Sequence, residues 1–293
     1  DGYVHIFDNC SGDITVTQDL NDTIDIDGDF SGSLTVGGLL PEGGAVDIDG
    51  DVVGGTGKYV RIKQMTGGGF SCDDMNITSS ADPWGGSFNV GWGLPTNDYA
   101  AYSQTGHIEI ANRLKGYLVI SGRSNLSINV NDIDASGLAT GDYTGIYATH
   151  RFGQLSDIHV LGNFVSGRIL TGPNASEHDE FGAAIDGKIR IDGSMGEATP
   201  TFPAQILAQD SHDAEIPLKA LIEIGGDFYG NIHATGDLEN NIEITGHCHG
   251  SIHSSGDLEG EIQINGSLLD NPNFDYEIDI EGDIANDAAI TVD

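Results

Sequence analysis

Basic side chains are scarce in this chain. Only 11 Lys and Arg stand against 46 Asp and Glu, a formal charge of −35 at pH 7. Such a field repels nucleic acid and anionic membrane surfaces, and it favours solubility and cation binding. Aromatics make up 7% of the residues and Trp occurs twice, too few for a large mixed globular core. Three cysteines, Cys10, Cys72 and Cys248, cannot build a disulfide framework. No apolar run reaches the length of a membrane span, so no membrane insertion is expected. Helical periodicity is missing as well. The chain opens on Asp1, with neither an initiator Met nor a signal peptide in view, which suggests a processed product or part of something longer.

What is abundant is glycine, 43 residues, and it recurs with a period. Asn231–Asn240 (NIHATGDLEN) and Ser251–Gly260 (SIHSSGDLEG) are near copies, separated by Asn241–Gly250 (NIEITGHCHG) and followed by EIQINGSLLD. Each ten-residue unit reads x-I-x-h-x-G-x-h-x-G, with h usually apolar, and two units make one period of about twenty residues. The unit opens the chain in Tyr3–Gly12 and Asp13–Asp22, and it returns at His107–Gly116, Lys188–Met195 and Leu221–Gly230. Alternating apolar residues turn one face of a short strand inward, and Gly at the sixth and tenth positions is expected to supply positive φ at corners. One such coil cannot bury its inner face alone, so coils must stack. The predicted fold is an all-β, single-stranded parallel β-helix of 20–22 residues per coil, one continuous domain over residues 1–293. Three stretches, about 65–106, 134–156 and 172–218, read as long insertions on one edge.

The G-D-L and I-x-I-x-G-D units (Gly236-Asp237-Leu238, Gly256-Asp257-Leu258, Ile24–Asp29) resemble the Gly-rich β-helix repeats of large secreted bacterial and archaeal surface proteins. They are similar also to bactofilins, cytoskeletal proteins that polymerise by stacking β-helices. The resemblance implies the architecture, a right-handed coil and a scaffold role. Five sequons, at Asn21, Asn76, Asn125, Asn174 and Asn265, are candidate glycosylation sites on a chain expected outside the cell or on its surface.

Enzymatic activity is not expected. Polygalacturonase-like hydrolases of this fold carry paired Asp, a G-H-G and an R-I-K motif. Here Arg61-Ile62-Lys63 comes first, Asp73-Asp74 sits in an insertion, and Gly246-His247 is remote from both. The order contradicts that family. The most orderly acidic feature is Asp25, Asp27 and Asp29 against Asp47, Asp49 and Asp51, one coil apart in IDIDGDF and VDIDGDV. Their carboxylates should stack in outward ladders, either as a solvated face or around Ca²⁺, the cation that oxygen-rich ladders suit. His233 and His253 should be neighbours on successive coils, with His247 and His249 flanking an inward Cys248, either as a transition-metal patch or as exposed turn residues.

Partners are read from the ends and the insertions. Tyr3, Val4 and Ile6 at one end, and Ile284 and Ile290 at the other, leave the repeat uncapped, which invites head-to-tail stacking into a homopolymer. The expected role is therefore a secreted structural protein forming a filament, sheath or surface layer. The alternative is an adhesin or glycan-binding stalk that uses Trp84 and Trp92.

Overall fold

The computed structural model describes residues 2–54, 58–77, 87–92, 94, 102–135, 144–149, 151–154, 156–171, 184–198, 203–209, 215–269 and 278–293. These residues form an all-β structure, one sheet system of 25 strands whose strand pairs are all parallel. None of them lies in a helix, so none offers a helix long and apolar enough to cross a membrane.

Where the repeat is regular, the strands are short because the sequence allows only three or four alternating residues before a glycine corner. Asn231–Ala234, Ile242–Ile244, Ser251–Ser254 and Glu261–Ile264 are four such strands in succession. Each pairs not with its neighbour in sequence but with the next strand but one, so His233 lies on His253 and Glu243 on Gln263. One period of the sequence is thus one layer of the stack, with neighbouring strands about 4.8 Å apart.

Inward residues line up in columns, two on each strand face, such as those of Val4 and Ile6 or of Ile14 and Val16, and one at each bridge corner. One runs from Val4 through Ile24, Val46, Phe70 and Ile108 to Ile262 and Ile290. A second runs from Ile14 to Ile278. Between these strand faces, isolated bridges carry a third from Cys10 through Phe30, Phe164, Met195 and Phe228 to Cys248 and Leu268, and a fourth through Leu218, Leu238 and Leu258 to Ile284. The columns merge into one apolar core. Cys10 and Cys248 fill inward positions in the third column, and all three thiols are free.

Two expectations change. The stretch 65–106 is not a single excursion: Val60–Cys72, Met75–Ile77, Ser87–Val90 and Ser103–Ile120 all pair within the sheet. Phe70, Cys72, Met75, Phe88 and Val90 are buried there, but the strands lack the G-D corners that make the repeat visible. Likewise Gly145–Ala148, Ala184–Ile185 and Ala204–Ala208 are sheet strands inside the other two stretches. Layers in this middle region take 31 or 33 residues between equivalent corners, against 20 near the C-terminus. The extra length goes into connections while the strand register persists.

The second change concerns glycine. Among the described residues, the repeat glycines at the sixth position (Gly28, Gly50, Gly246, Gly256, Gly282) do not have positive φ. They are needed for close approach. A Cβ on Gly50 would lie 2.6 Å from Asp29 Oδ1, and one on Gly246 would lie 2.5 Å from Asp227 Oδ1.

Candidate functional site

The corner that removes the Cβ also builds a hydrogen-bond ladder. At this corner the residue before the bridge position, usually one that follows a glycine, points its side chain along the stack and accepts the backbone N–H of its counterpart in the next layer. Asn9 Oδ1 accepts from Asp29 N (2.8 Å), Asp29 Oδ1 from Asp51 N (3.0 Å) and Asp51 Oδ1 from Asp74 N (3.2 Å). The same line continues through Asp132, Asn163, Ser194, Asp227, His247 and Ser267. On the opposite corner, Asp237 Oδ1 accepts from Asp257 N and Asp257 Oδ1 from Asp283 N, both at 2.8 Å. Bridge positions lack a full strand ladder, so these side chains complete the backbone hydrogen bonding there. The G-D dipeptide was the sequence signal for this role.

Of the six aspartates expected in outward ladders, Asp29 and Asp51 turn their carboxylates along the stack instead. Asp25 lies directly against Asp47 in register, and Asp29 and Asp51 are consecutive members of the corner ladder. Asp27 and Asp49 take equivalent places, donating their backbone N–H to Ile6 and Ile26. The Asp47 carboxylate accepts from the Ser71 hydroxyl at 2.5 Å, and Asp25 accepts from the Tyr3 hydroxyl. That hydrogen bond is the main cause of the Tyr3 hydroxyl being pushed up to about 12. Burial raises Asp51, and the neighbouring Asp74, Asp29 and Asp73 carboxylates push it in the same direction.

Two His–carboxylate clusters sit near opposite ends. His5 Nε2 is 2.5 Å from Asp27 Oδ1 and 3.7 Å from Asp25 Oδ2. His253 Nδ1 is 3.1 Å from Asp279 Oδ2, with Glu281 beside them. In both, the His faces the acid in register on the next layer, and a second acid follows two residues on. A third instance, His159 on Asp192 at 3.0 Å, has Arg190 in the in-register place, and Arg190 pairs with Asp192 at 2.7 Å. The hydrogen bond to Asp27 raises the pKa of His5.

His233 and His253 stack as expected, ring centroids 4.8 Å apart. Burial, then the adjacent His253, lowers the pKa of His233. His247 and His249 do not converge on a common centre: His247 Nδ1 accepts Ser267 N, and His249 stacks on Tyr229 at 4.4 Å.

Trp92 is 42% exposed, and its ring covers the Arg61 guanidinium from 4.8 Å, while Tyr59 covers that guanidinium from 3.7 Å. Trp84 and Asn174 lie outside the described residues. Asn21 and Asn265 are exposed and Asn76 is half-buried. The Asn125 amide donates to Ser103 Oγ at 2.8 Å, which ties down the nitrogen a sugar would need.

The end layers differ sharply from the interior. In the first column Ile24, Val46, Ile242 and Ile262 are at most 1% exposed, but Val4 is 44% and Ile290 is 40%. Ile284 (55%), Leu268 (41%) and Val292 (42%) are open at the same end as Ile290, and Tyr3 (55%) and Phe7 (78%) accompany Val4. No protein-family model matches the chain, and no curated protein or solved structure matches it either.

Proposed function

We propose that the stacked layers close into a parallel β-helix, right-handed, and that copies of the chain stack head to tail into a filament, sheath or surface layer outside the cell. The observation that carries the reading is the column from Val4 to Ile290, buried throughout its interior and open at both ends. The C-terminal end presents Leu268, Ile278 and Ile290, and the N-terminal end presents Cys10, Ile14 and Val4, members of the same three columns in the same order around the layer, whereas Leu20 is already buried at 6%.

Polarity matches too. Each corner side chain accepts from the layer that follows it, so Asp283 is left as an acceptor pointing out of the C-terminal end. Asp19, which already accepts Leu39 N–H at 2.8 Å, is its counterpart in the first layer. A head-to-tail contact would let Asp283 receive the Asp19 N–H of the next copy. Such a contact is heterologous and leaves both ends unsatisfied after each addition, which is the condition for an open fibre. Ca²⁺ between the outward carboxylates of Asp25, Asp27, Asp47 and Asp49 would relieve their repulsion.

The test is sedimentation velocity and negative-stain electron microscopy of the chain over a range of concentrations, with and without Ca²⁺. Fibres that disappear in Ile290→Lys, with far-UV dichroism unchanged, support stacking. A chain that stays monomeric at high concentration with Ca²⁺ present would sink it.

A further inference from the structure

The lateral surface carries one cation arrangement unlike the others. Most basic side chains of the described residues are committed to carboxylates: Lys58 to Asp13, Arg113 to Asp74, Arg151 to Asp186, Lys188 to Glu223, Arg190 to Asp192 and Lys219 to Glu239. With 46 acidic residues available, this is the expected outcome. Arg61 is arranged differently, against aromatic rings. Its guanidinium carbon lies over the rings of Tyr59 and Trp92, 3.7 and 4.8 Å from their centroids, and its Nε is buried without a hydrogen-bond partner among the described residues.

Register places no acid beside it among the described residues. Arg61 stands outward between Thr35 in the layer before and Asn89 in the layer after, both neutral. Lys63, exposed two residues along the same strand, points to the same side at roughly 7 Å along the backbone. The patch is therefore a guanidinium packed against two rings, a second cation beside it, and a Trp ring with part of its surface open to solvent.

We propose that Tyr59, Arg61, Lys63 and Trp92 form a binding site for a carboxylate-bearing saccharide. A guanidinium fork matches a carboxylate bidentately, where an ammonium would act only as a point charge. The exposed indole supplies an amphipathic surface for the apolar face of a sugar ring. The net charge of −35 selects the kind of anion: a polyanion of high charge density would be repelled by the whole molecule, whereas a carboxylate spaced along a sugar chain meets mainly the local patch. This site lies on the side of the stack and does not depend on end-to-end assembly.

The experiment is isothermal titration calorimetry on the full chain with two probes of equal length, a cello-oligosaccharide and its C6-oxidised cellouronate counterpart. They share the ring and differ in the carboxylate. The site predicts that cellouronate binds at least ten-fold more tightly, and that Arg61→Lys, which keeps the charge and loses the fork, costs most of that difference. Lys63→Gln, at an exposed position whose loss leaves the fold intact by far-UV dichroism, should weaken cellouronate and leave the neutral probe unchanged. Trp92→Ala should weaken both. Binding of both probes alike, no binding of either, or a Lys63→Gln chain that binds cellouronate as tightly as the parent overturns the proposal. Inorganic sulfate at equal ionic strength should not compete; full competition by it would show a general anion patch and overturn the saccharide assignment.

Discussion

The carboxylate of Asp237 accepts the backbone N–H of Asp257 and at the same time fills the space that a Cβ on Gly256 would need. The obstruction extends to backbone: Asp237 N and Gly236 C both lie 2.7 Å from that Cβ position, and neither can move without shifting a layer. Gly256→Ala should therefore destabilise the chain by about 1–3 kcal/mol, the usual scale for overpacking. Gly12 is the control, since a Cβ there meets nothing within 4 Å and its φ is not positive. Gly12→Ala should be neutral or gain up to ~1 kcal/mol through the unfolded state. Thermal melts of the two variants check the contrast, and equal losses would show that corner glycines are chosen for chain flexibility instead.

The ladder itself predicts which substitutions of Asp257 are tolerated. Its Oδ1 accepts Asp283 N–H, so Asp257→Ala leaves that donor without its acceptor and should cost about 1 kcal/mol. Asp257→Asn keeps an acceptor of the same shape, as Asn9 and Asn163 already do in their layers. It also removes a charge between Asp237 and Asp283, so at low salt it should match or exceed the parent in chemical denaturation. A loss in Asp257→Asn as large as in Asp257→Ala would mean that charge, not the acceptor, is what the corner requires.

His233 and His5 set pH dependences of opposite sign. The pKa of His233 is lowered from 6.5, so the folded state binds fewer protons there than the unfolded state. Its contribution to stability is complete above about 6.5 and is lost as pH falls through that value towards the folded pKa. His5 has the opposite sign: raised by Asp27, it contributes fully below 6.5 and loses the contribution as pH rises through its folded pKa. Melting temperatures between pH 5 and 8 should show a shallower acid-side fall in His233→Gln than in the parent. The window stays clear of the Asp13 and Asp192 carboxylates, whose pKa values are lowered from 3.8. An unchanged acid limb would mean that His233 does not set the slope.

Most of the architecture was legible because the repeat is redundant. Ile232, Ile242, Ile252 and Ile262 recur at fixed spacing, and any one of them could be lost without hiding the pattern. The middle layers were harder to read: Phe88 and Val90 are buried column members, but their strand has neither a preceding G-D corner nor a twenty-residue neighbour. The acidic ladders were visible as spacing, yet the task of Asp29 and Asp51 was not. A carboxylate that faces solvent and one that accepts an N–H from the next layer have the same letter. What distinguishes them is the glycine that precedes the acceptor, and its purpose appears only when two layers are superposed. The Tyr59–Arg61–Trp92 stack was illegible for a different reason, since Trp92 reaches Arg61 from another strand.

Cation binding to the outward acids should appear as a concentration-dependent rise in melting temperature, because a ligand held only by the folded state stabilises it by mass action. With Asp25 against Asp47 in register, Ca²⁺ should raise the midpoint more than an equal ionic strength of Na⁺. The double variant Asp27→Asn, Asp47→Asn should lose most of the difference while keeping the corner ladder of Asp29 and Asp51. Equal shifts from Ca²⁺ and matched Na⁺ would reduce the face to a screened acidic surface.

The register of head-to-tail stacking can be read covalently. Cys10 opens the third column and Leu268 closes it among the described residues, and both lie at the same corner of the layer as Phe30 and Cys248. If the next copy continues the column, the two Cα atoms will stand about 4.8 Å apart, within the roughly 4.4–6.8 Å span that a disulfide bridges. Leu268→Cys should then give a ladder of covalent multimers on mild oxidation, reversed by reductant, through the native Cys10. Cys72 and Cys248 are buried, and burial holds the Cys248 thiol up in pKa, so neither competes for the new thiol. Val292→Cys places the thiol on the column that begins at Ile6 and passes through Ile264, and should not crosslink to Cys10. Fibres that form without the Leu268→Cys ladder would keep stacking and reject this register, whereas a ladder from Val292→Cys alone would place the next copy one column away.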